Sequence, residues 1–88
     1  MIVWTNYMRY RAQLRGFELD ILEQIINHST EHYYDTETGR PIVIGRHKND
    51  LVLLPYDRKN DTIIPITVHV TTRQQINFRL KMKRFIHE

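Results

Sequence analysis

The change of pattern at Thr71 and Thr72 constrains the fold of this chain more than any other feature. A β-branched, apolar run begins at Thr62 and ends at this pair of threonines, which is typical of a strand. Thr72 and Gln75 then have the spacing of a capping box, which predicts a helix that begins at about Arg73. The chain is therefore predicted to pass directly from a strand into a helix.

The segment from Gln75 to Lys83 is compatible with two secondary structures. Apolar and polar residues alternate strictly along it, which favours a strand. Good helix-forming residues fill the segment, Ile76 is its only β-branched residue, and the capping box precedes it, which together favour a helix. We adopt the helix and keep the strand as the alternative.

The preceding part of the chain predicts two helices and then a series of strands. After Asn6, a possible N-cap, larger residues recur at helical spacing, namely Tyr7, Tyr10, Arg11 and Leu14. This pattern indicates a first helix to Arg15, ended by Gly16. A second helix is predicted from Glu18 to Asn27. Short polar turns separate the strands that follow, and such turns join antiparallel neighbours. The predicted strands are Glu31–Asp35, Arg40–His47, Leu51–Tyr56 and Thr62–Thr71.

These elements predict one α+β domain over residues 1–88. It has two N-terminal helices, an antiparallel four-stranded meander sheet and a basic C-terminal helix. The helices are expected on one face of the sheet, which leaves the second face open for an extended ligand. No apolar run reaches the roughly 18–20 residues that a membrane span needs, and the N-terminus does not resemble a signal peptide. We therefore expect a cytoplasmic protein with no membrane partner.

Several chemistries are excluded by the residues that are missing. The chain has no cysteine, so it forms neither a disulfide nor a thiolate zinc site. It lacks the glycine-rich loops that bind nucleotides, and we expect no cofactor. His28 and His32 have a metal-binding spacing if helical, but they straddle the predicted end of a helix, so we expect no metal site.

Charge is distributed unevenly along the chain. Residues 1–17 contain three arginines and no acid, whereas residues 18–38 contain six acids and no lysine or arginine. The C-terminal helix and its tail contain five basic residues and one acid. The net charge of +3 therefore includes a basic surface drawn from both ends of the chain, which suits phosphate or an acidic partner.

RNA cleavage is the reaction that these residues suit best. RNA carries its own nucleophile, the 2′-hydroxyl, so a protein needs only proton-transfer groups and cations. His69 is predicted to share a strand face with Thr67 and Thr71, close to Arg73, although such a face is equally typical of a solvated strand. The candidate catalytic residues are His69, Arg73, Arg79, His47 and Tyr56. The candidate phosphate-binding residues are Arg46, Lys81, Lys83 and Arg84.

Three stretches of the chain resemble a known family. They are Tyr7-x3-Arg11-x3-Arg15-Gly16-Phe17, the run Asp35–Arg40 before an apolar strand, and a late strand leading through Thr-Thr-Arg to a helix that ends in Lys83-Arg84-Phe85. In this order they resemble BrnT-like and RelE/ParE-type toxin domains.

The resemblance implies a compact α+β toxin fold, a cognate antitoxin protein as partner and, in many members, metal-independent cleavage of RNA, in some cases on the ribosome. Arg73, Arg79 and Arg84 match the late arginines of the family. Some members act on gyrase instead of RNA. A non-catalytic module that binds an acidic protein, nucleic acid or a gyrase-like target is therefore the alternative.

Overall fold

The computed structural model describes residues 1–88 and has three helices and six strands. The predicted α+β class is confirmed. The helices are α1 (Asn6–Leu14), α2 (Leu19–His28) and α3 (Arg73–Lys81). The strands are β1 (His32–Asp35), β2 (Arg40–His47), β3 (Asp50–Lys59), β4 (Thr62–Pro65), β5 (His69–Val70) and β6 (Phe85–His87).

All six strands belong to one antiparallel sheet. Its order is β4-β3-β2-β1-β6, and β5 pairs with the first half of β3. The predicted four-stranded meander is present as β1–β2–β3–β4, and β6 extends it beyond β1. β6 was not predicted, because three residues after a run of basic residues show no periodic pattern. No helix of the chain is both long and apolar enough to cross a membrane.

The predicted strand Thr62–Thr71 is in fact two short strands. Pro65 of β4 pairs with Tyr56, and His69 of β5 pairs with Leu53. The segment therefore advances four residues from Pro65 to His69 while β3 covers three, from Tyr56 to Leu53. The extra residue is a bulge, and it follows Pro65, which cannot donate a ladder hydrogen bond. On a regular strand Ile64 and Val68 would share one face, and the bulge puts them on opposite faces.

Helices cover both faces of the sheet, so the prediction of one open face is wrong. On one face, α1 and α2 share a core cluster with strand residues that include Val43, Leu54 and Tyr56. Neighbouring strand positions point the other way. On that second face, Ile76 of α3 packs in a cluster with Tyr33, Ile42, Ile44, Leu51, Leu53 and Phe85. A ligand site on the second face must therefore lie beside α3.

The junction between β5 and α3 confirms the predicted helix start. The Thr72 hydroxyl accepts a hydrogen bond from the Gln75 N–H at 3.1 Å, so Thr72 is the N-cap. The capping box is only half formed, because the Gln75 amide oxygen accepts from the Thr71 hydroxyl instead. Residues 73–81 are helical, which excludes the alternative strand. Lys83 then takes a left-handed backbone conformation (φ 60°) that turns the chain into β6.

The ends of α1 follow local capping rules. Gly16 has φ +76°, and the Phe17 N–H donates to the Ala12 carbonyl at 2.8 Å, so the predicted glycine C-cap is confirmed as a Schellman motif. The N-cap is Thr5 rather than the predicted Asn6, because the Thr5 hydroxyl accepts the Met8 N–H at 3.1 Å. Met8 and Ala12 are the buried residues of α1.

Candidate functional site

A cleft between α3 and β5 contains three of the nine predicted site residues. These are His69, Arg79 and Arg84. The cleft has a volume of about 360 Å³, and its other lining residues are Asp35, Thr38, Leu53, Pro55, Val70, Thr71, Gln75 and Phe85. A second depression of about 790 Å³ shares Gln75, Arg79 and Arg84 with it. Arg79 thus stands between two cavities that an extended ligand can occupy.

The β5–α3 junction positions the side chains of the cleft. His69 lies opposite Leu53, so its imidazole points to the face of the sheet that α3 covers. Gln75 and Arg79 are four residues apart in α3, which places both side chains on the helix face toward the cleft. The Arg79 guanidinium lies 5.4 Å from the centroid of the Phe85 ring, and this cation–π contact orients it.

His69 lies in a positively charged environment. Partial burial lowers its pKa below the ordinary value of 6.5, and the positive charges of Arg15, Arg11 and Arg79 lower it further. Both effects disfavour the imidazolium, since burial and like charges oppose the addition of a positive charge. His69 is therefore predominantly neutral at about pH 7 and can accept a proton.

The arginines of this region differ in whether an acid neutralises them. Arg84 contacts Asp35 at 3.2 Å and Glu37 at 3.4 Å. None of the six ion-pair contacts in the molecule involves Arg11, Arg15 or Arg79. An anion bound in the cleft therefore meets the unpaired guanidinium of Arg79, and Arg11 and Arg15 add further uncompensated positive charge outside the cleft.

Asp35 anchors one wall of the cleft. It is only 5% exposed, and its carboxylate accepts hydrogen bonds from Arg84 and from the backbone N–H groups of Glu37 and Thr38. Burial alone would raise the pKa of Asp35, but these hydrogen bonds and the charge of Arg84 outweigh it and lower the pKa below its ordinary 3.8. The ion pair therefore holds Arg84 beside Asp35 at neutral pH.

We expect the Asp35→Asn protein to be less stable than the wild type by about 1–3 kcal/mol at neutral pH, because Arg84 loses its buried partner. A carboxyl group whose pKa is lower in the folded than in the unfolded protein stabilises the fold at a pH above its pKa in the unfolded protein. This stabilisation is lost as the pH falls through the pKa of the group in the folded protein. The difference between the two proteins should therefore shrink below about pH 4, which urea unfolding at several pH values measures. Glu23→Gln, at an exposed acid of α2 without an ion pair, is the control. A difference that stays constant with pH would contradict the role given to Asp35.

Arg73 and Arg46 lie in a separate groove of about 520 Å³, together with Glu31. Both terminal nitrogens of Arg73 donate to Glu31, and the Nη2 bond is 3.1 Å long. The Arg73 hydrogen bond lowers the pKa of Glu31 against the effect of burial, and a hydrogen bond from the Tyr33 hydroxyl adds to it. Arg46 donates to the backbone carbonyl of Asn49 at 3.2 Å. The structure thus gives Arg73 an internal partner and separates it from His69.

His47 and Tyr56 point to the opposite face of the sheet from His69. His47 is buried, and its Nε2 accepts the backbone N–H of Glu18 at 2.8 Å, next to the start of α2. Tyr56 is 1% exposed, and its hydroxyl accepts from Arg58 at 3.1 Å. The structure does not bring either residue to His69, which argues against their predicted role as its partner in proton transfer.

The remaining predicted residues lie on the surface near α3. Lys81 is the last residue of α3 and Lys83 lies in the turn after it, and both are exposed and have no acidic partner. Thr71 lines the cleft as expected, whereas the Thr67 hydroxyl is buried with no hydrogen-bond partner. Sequence reasoning did not include Arg11 and Arg15 among the candidates. The acid-free, arginine-containing N-terminus was the signal that pointed to them.

Comparisons with known proteins leave the family of this chain open. The chain matches no protein-family model, no curated protein and no solved structure. The resemblance to toxin domains therefore stays a prediction. No three His, Asp or Glu side chains form a group that could hold a metal ion.

Proposed function

We propose that the cleft between α3 and β5 binds an RNA phosphate and that the protein is a type II toxin that cleaves RNA without a metal ion. The observation that carries this proposal is the presence of an imidazole and an unpaired guanidinium, those of His69 and Arg79, in one cleft. The toxin class follows from the resemblance of the N-terminal helix, the first hairpin and the C-terminal helix to RelE/ParE-type and BrnT-like domains.

The proposed reaction is a transesterification within RNA. The 2′-hydroxyl transfers its proton to His69 and attacks the adjacent phosphorus, and the bond from phosphorus to the 5′-oxygen then breaks. The leaving oxygen takes a proton from the imidazolium or from water. Arg79 donates hydrogen bonds to the non-bridging oxygens, whose charge increases in the transition state. The products carry 2′,3′-cyclic phosphate and 5′-hydroxyl ends.

We expect the purified protein to cleave a long single-stranded RNA in the presence of EDTA and to leave cyclic phosphate ends. Arg79→Ala should lower the rate about 10²-fold, because it removes a donor aimed at the developing charge. Arg73→Ala removes the same type of side chain from the separate groove and should retain the wild-type rate. Equal losses in both variants, with both folded by circular dichroism, would show that the reaction does not occur in this cleft.

A non-catalytic binding module is the second candidate function. The placement of His47 and Tyr56 favours it, because both face the other side of the sheet and leave His69 as the one imidazole in the cleft. In that case the basic cleft holds an acidic protein, a nucleic acid or a gyrase-like target. Salt-sensitive binding without RNA turnover, free or on ribosomes, would favour this candidate over the nuclease.

The proposed partners follow from the same resemblance. We propose a cognate antitoxin protein, RNA as substrate and a cytoplasmic location. A neighbouring gene that encodes a small DNA-binding protein would support the pairing. Co-expression of that protein should then suppress the RNA cleavage described above.

A further inference from the structure

α1 exposes an aromatic surface that the packing of the core does not explain. Its buried residues are Met8 and Ala12, whereas Tyr7 and Tyr10 are 58% and 61% exposed and Leu14 is 65% exposed. Residues three, four and seven apart lie together on one side of a helix, so the three side chains form one continuous outward surface. Continuous exposed apolar surface of this kind is typical of interaction sites.

Basic side chains border this surface along one side of α1. Tyr7, Arg11 and Arg15 are each four residues apart and form a row, here called the α1 row. The Arg11 guanidinium lies 5.7 Å from the centroid of the Tyr7 ring, which steadies a ring that is otherwise largely open to solvent. The Nε atom of Arg11 is buried and has no hydrogen-bond partner. Neither arginine has an acidic partner.

α1 packs beside the segment of chain that carries His69. Met8 and Ala12 share a core cluster with Val68, which directly precedes His69. The charges of Arg15 and Arg11 reach His69 and lower its pKa, as does that of Arg79 from α3. Arg79 of α3 lines the cleft with His69, and the α1 row extends from Arg15 to Tyr7 on the neighbouring helix.

We propose that the α1 row is a second RNA-binding site that continues the His69 cleft and selects single-stranded over duplex RNA. This inference rests on the proposed function of the cleft. Arg11 and Arg15 bind a phosphate, and an unpaired base stacks on Tyr7. Proteins that bind single strands combine a basic path for the backbone with aromatic side chains for the bases, whereas the bases of a duplex are already stacked on one another.

The chain offers a matched control for this proposal. Arg9 and Arg15 lie three residues before and after Ala12, so they flank the buried stripe of α1 on opposite sides. Both side chains are exposed and neither has an acidic partner. Arg9→Gln and Arg15→Gln therefore remove the same charge from the same helix, and only the second alters the α1 row.

The experiment compares the binding of two labelled RNAs by fluorescence anisotropy. One is a single strand of about 12 nucleotides, a site size typical of such proteins, and the other is a hairpin of the same composition. We expect Tyr7→Ala and Arg15→Gln each to weaken binding of the single strand about tenfold. Arg9→Gln should change it less than about twofold, because solvent screens a charge that touches no phosphate. Arg15→Gln should also reduce the slope of log K against log salt by about 0.7, whereas Tyr7→Ala should leave the slope unchanged.

Several outcomes would overturn the proposal for the α1 row. These are equal effects of Arg9→Gln and Arg15→Gln, unchanged affinity in Tyr7→Ala, or tighter binding of the hairpin. If polyglutamate displaces the labelled RNA as well as unlabelled single-stranded RNA does, and Tyr7→Ala does not change RNA binding, the α1 row would be assigned to an acidic protein instead. Circular dichroism of each variant shows that it is folded.

The two proposals fail separately. A wild-type protein that binds the single strand through the α1 row but cleaves nothing refutes the nuclease and leaves the row supported. The opposite result is that the wild type cleaves RNA and that, at limiting RNA, Arg15→Gln and Tyr7→Ala are as active as Arg9→Gln. This result refutes the RNA-binding role of the α1 row and leaves the nuclease supported. At saturating RNA, and at a pH well above the pKa of His69, Tyr7→Ala and Arg15→Gln should regain the wild-type rate, because both residues contact RNA away from the reacting atoms.

Discussion

Replacing His69 by alanine is expected to lower the rate of RNA cleavage about 10²–10⁴-fold, which is the usual contribution of a general acid or base. The affinity for RNA should stay close to that of the wild type, since the arginines around His69 remain. Single-turnover cleavage of a labelled RNA gives the rate, and anisotropy gives the affinity. His28→Ala, at an exposed histidine in the groove of Arg73, is the control and should cleave normally.

The pH dependence of cleavage distinguishes a chemical role of His69 from a structural one. Burial and then the charges of Arg15, Arg11 and Arg79 hold the pKa of His69 below 6.5. A general base works when it is deprotonated, so the rate should rise with pH through a midpoint below 6.5 and then become level. Arg15→Gln removes one of the charges and should raise the pKa of His69, which moves the midpoint of the profile to higher pH.

An NMR titration of the His69 ring gives the same pKa independently of cleavage. A pKa at or above 6.5 in the wild type, or no change in Arg15→Gln, would contradict the charged environment described here. The cleavage rate could instead be independent of pH over the same range while the NMR titration gives the expected pKa. This result would show that His69 titrates in the cleft but transfers no proton in the rate-limiting step of cleavage.

The parts of the fold that were predicted from the sequence are those whose cause is local. Thr72 caps α3 through the N–H of Gln75, and Gly16 ends α1 through a left-handed backbone, so in each case signal and structure lie within a few residues. The break after Pro65 was missed, because the alternation of apolar residues continues through it while the register on β3 shifts by one residue. A register depends on the partner strand, which a single strand pattern does not reveal.

The candidate site was predictable only where its residues are close in sequence. His69 and Arg79 were both selected from the β5–α3 junction, and both lie in the cleft. Arg73, selected for the same reason, is held by Glu31 from a distant part of the chain. The charge of Arg11 influences the pKa of His69 only because the fold packs Met8 and Ala12 of α1 with Val68. Which cation is free and which is paired is therefore a property of the tertiary structure, and the charge pattern of the sequence does not determine it.

Replacing Gly45 by alanine is expected to destabilise the fold by about 3 kcal/mol, at the upper end of the usual cost of overpacking. Gly45 lies on β2 where α2 crosses the sheet. A Cβ atom there would lie 2.5 Å from Cγ2, 2.8 Å from Cγ1 and 3.1 Å from Cβ of Ile25. Because Ile25 is β-branched and sits in a helix, it has little freedom to rotate away. Either the side chain leaves its rotamer or α2 moves away from the sheet.

The melting temperature of Gly45→Ala should fall by roughly 12–24 °C, since about 1 kcal/mol corresponds to 4–8 °C in a domain of this size. The control is a double-mutant cycle with Ile25→Ala. That change removes the two closest atoms but costs about 2–5 kcal/mol by itself, because it leaves a cavity. If the contact with Ile25 is the cause, the double variant should be more stable than the sum of the two losses predicts, by about 0.5–3 kcal/mol.

The same variant tests whether the packing of α2 on the sheet affects catalysis in the cleft. Movement of α2 away from β2 would disturb the contact between His47 and the backbone of Glu18, which lies on that face. The cleft is built on the other face, from β3, β5 and α3, and none of its lining residues belongs to α2. Well below its melting temperature, Gly45→Ala should therefore cleave saturating RNA at the wild-type rate. Strictly additive losses in the cycle would show that Ile25 is not the obstacle. A loss of cleavage at saturating RNA in the folded variant would show that the packing of α2 and the cleft are coupled.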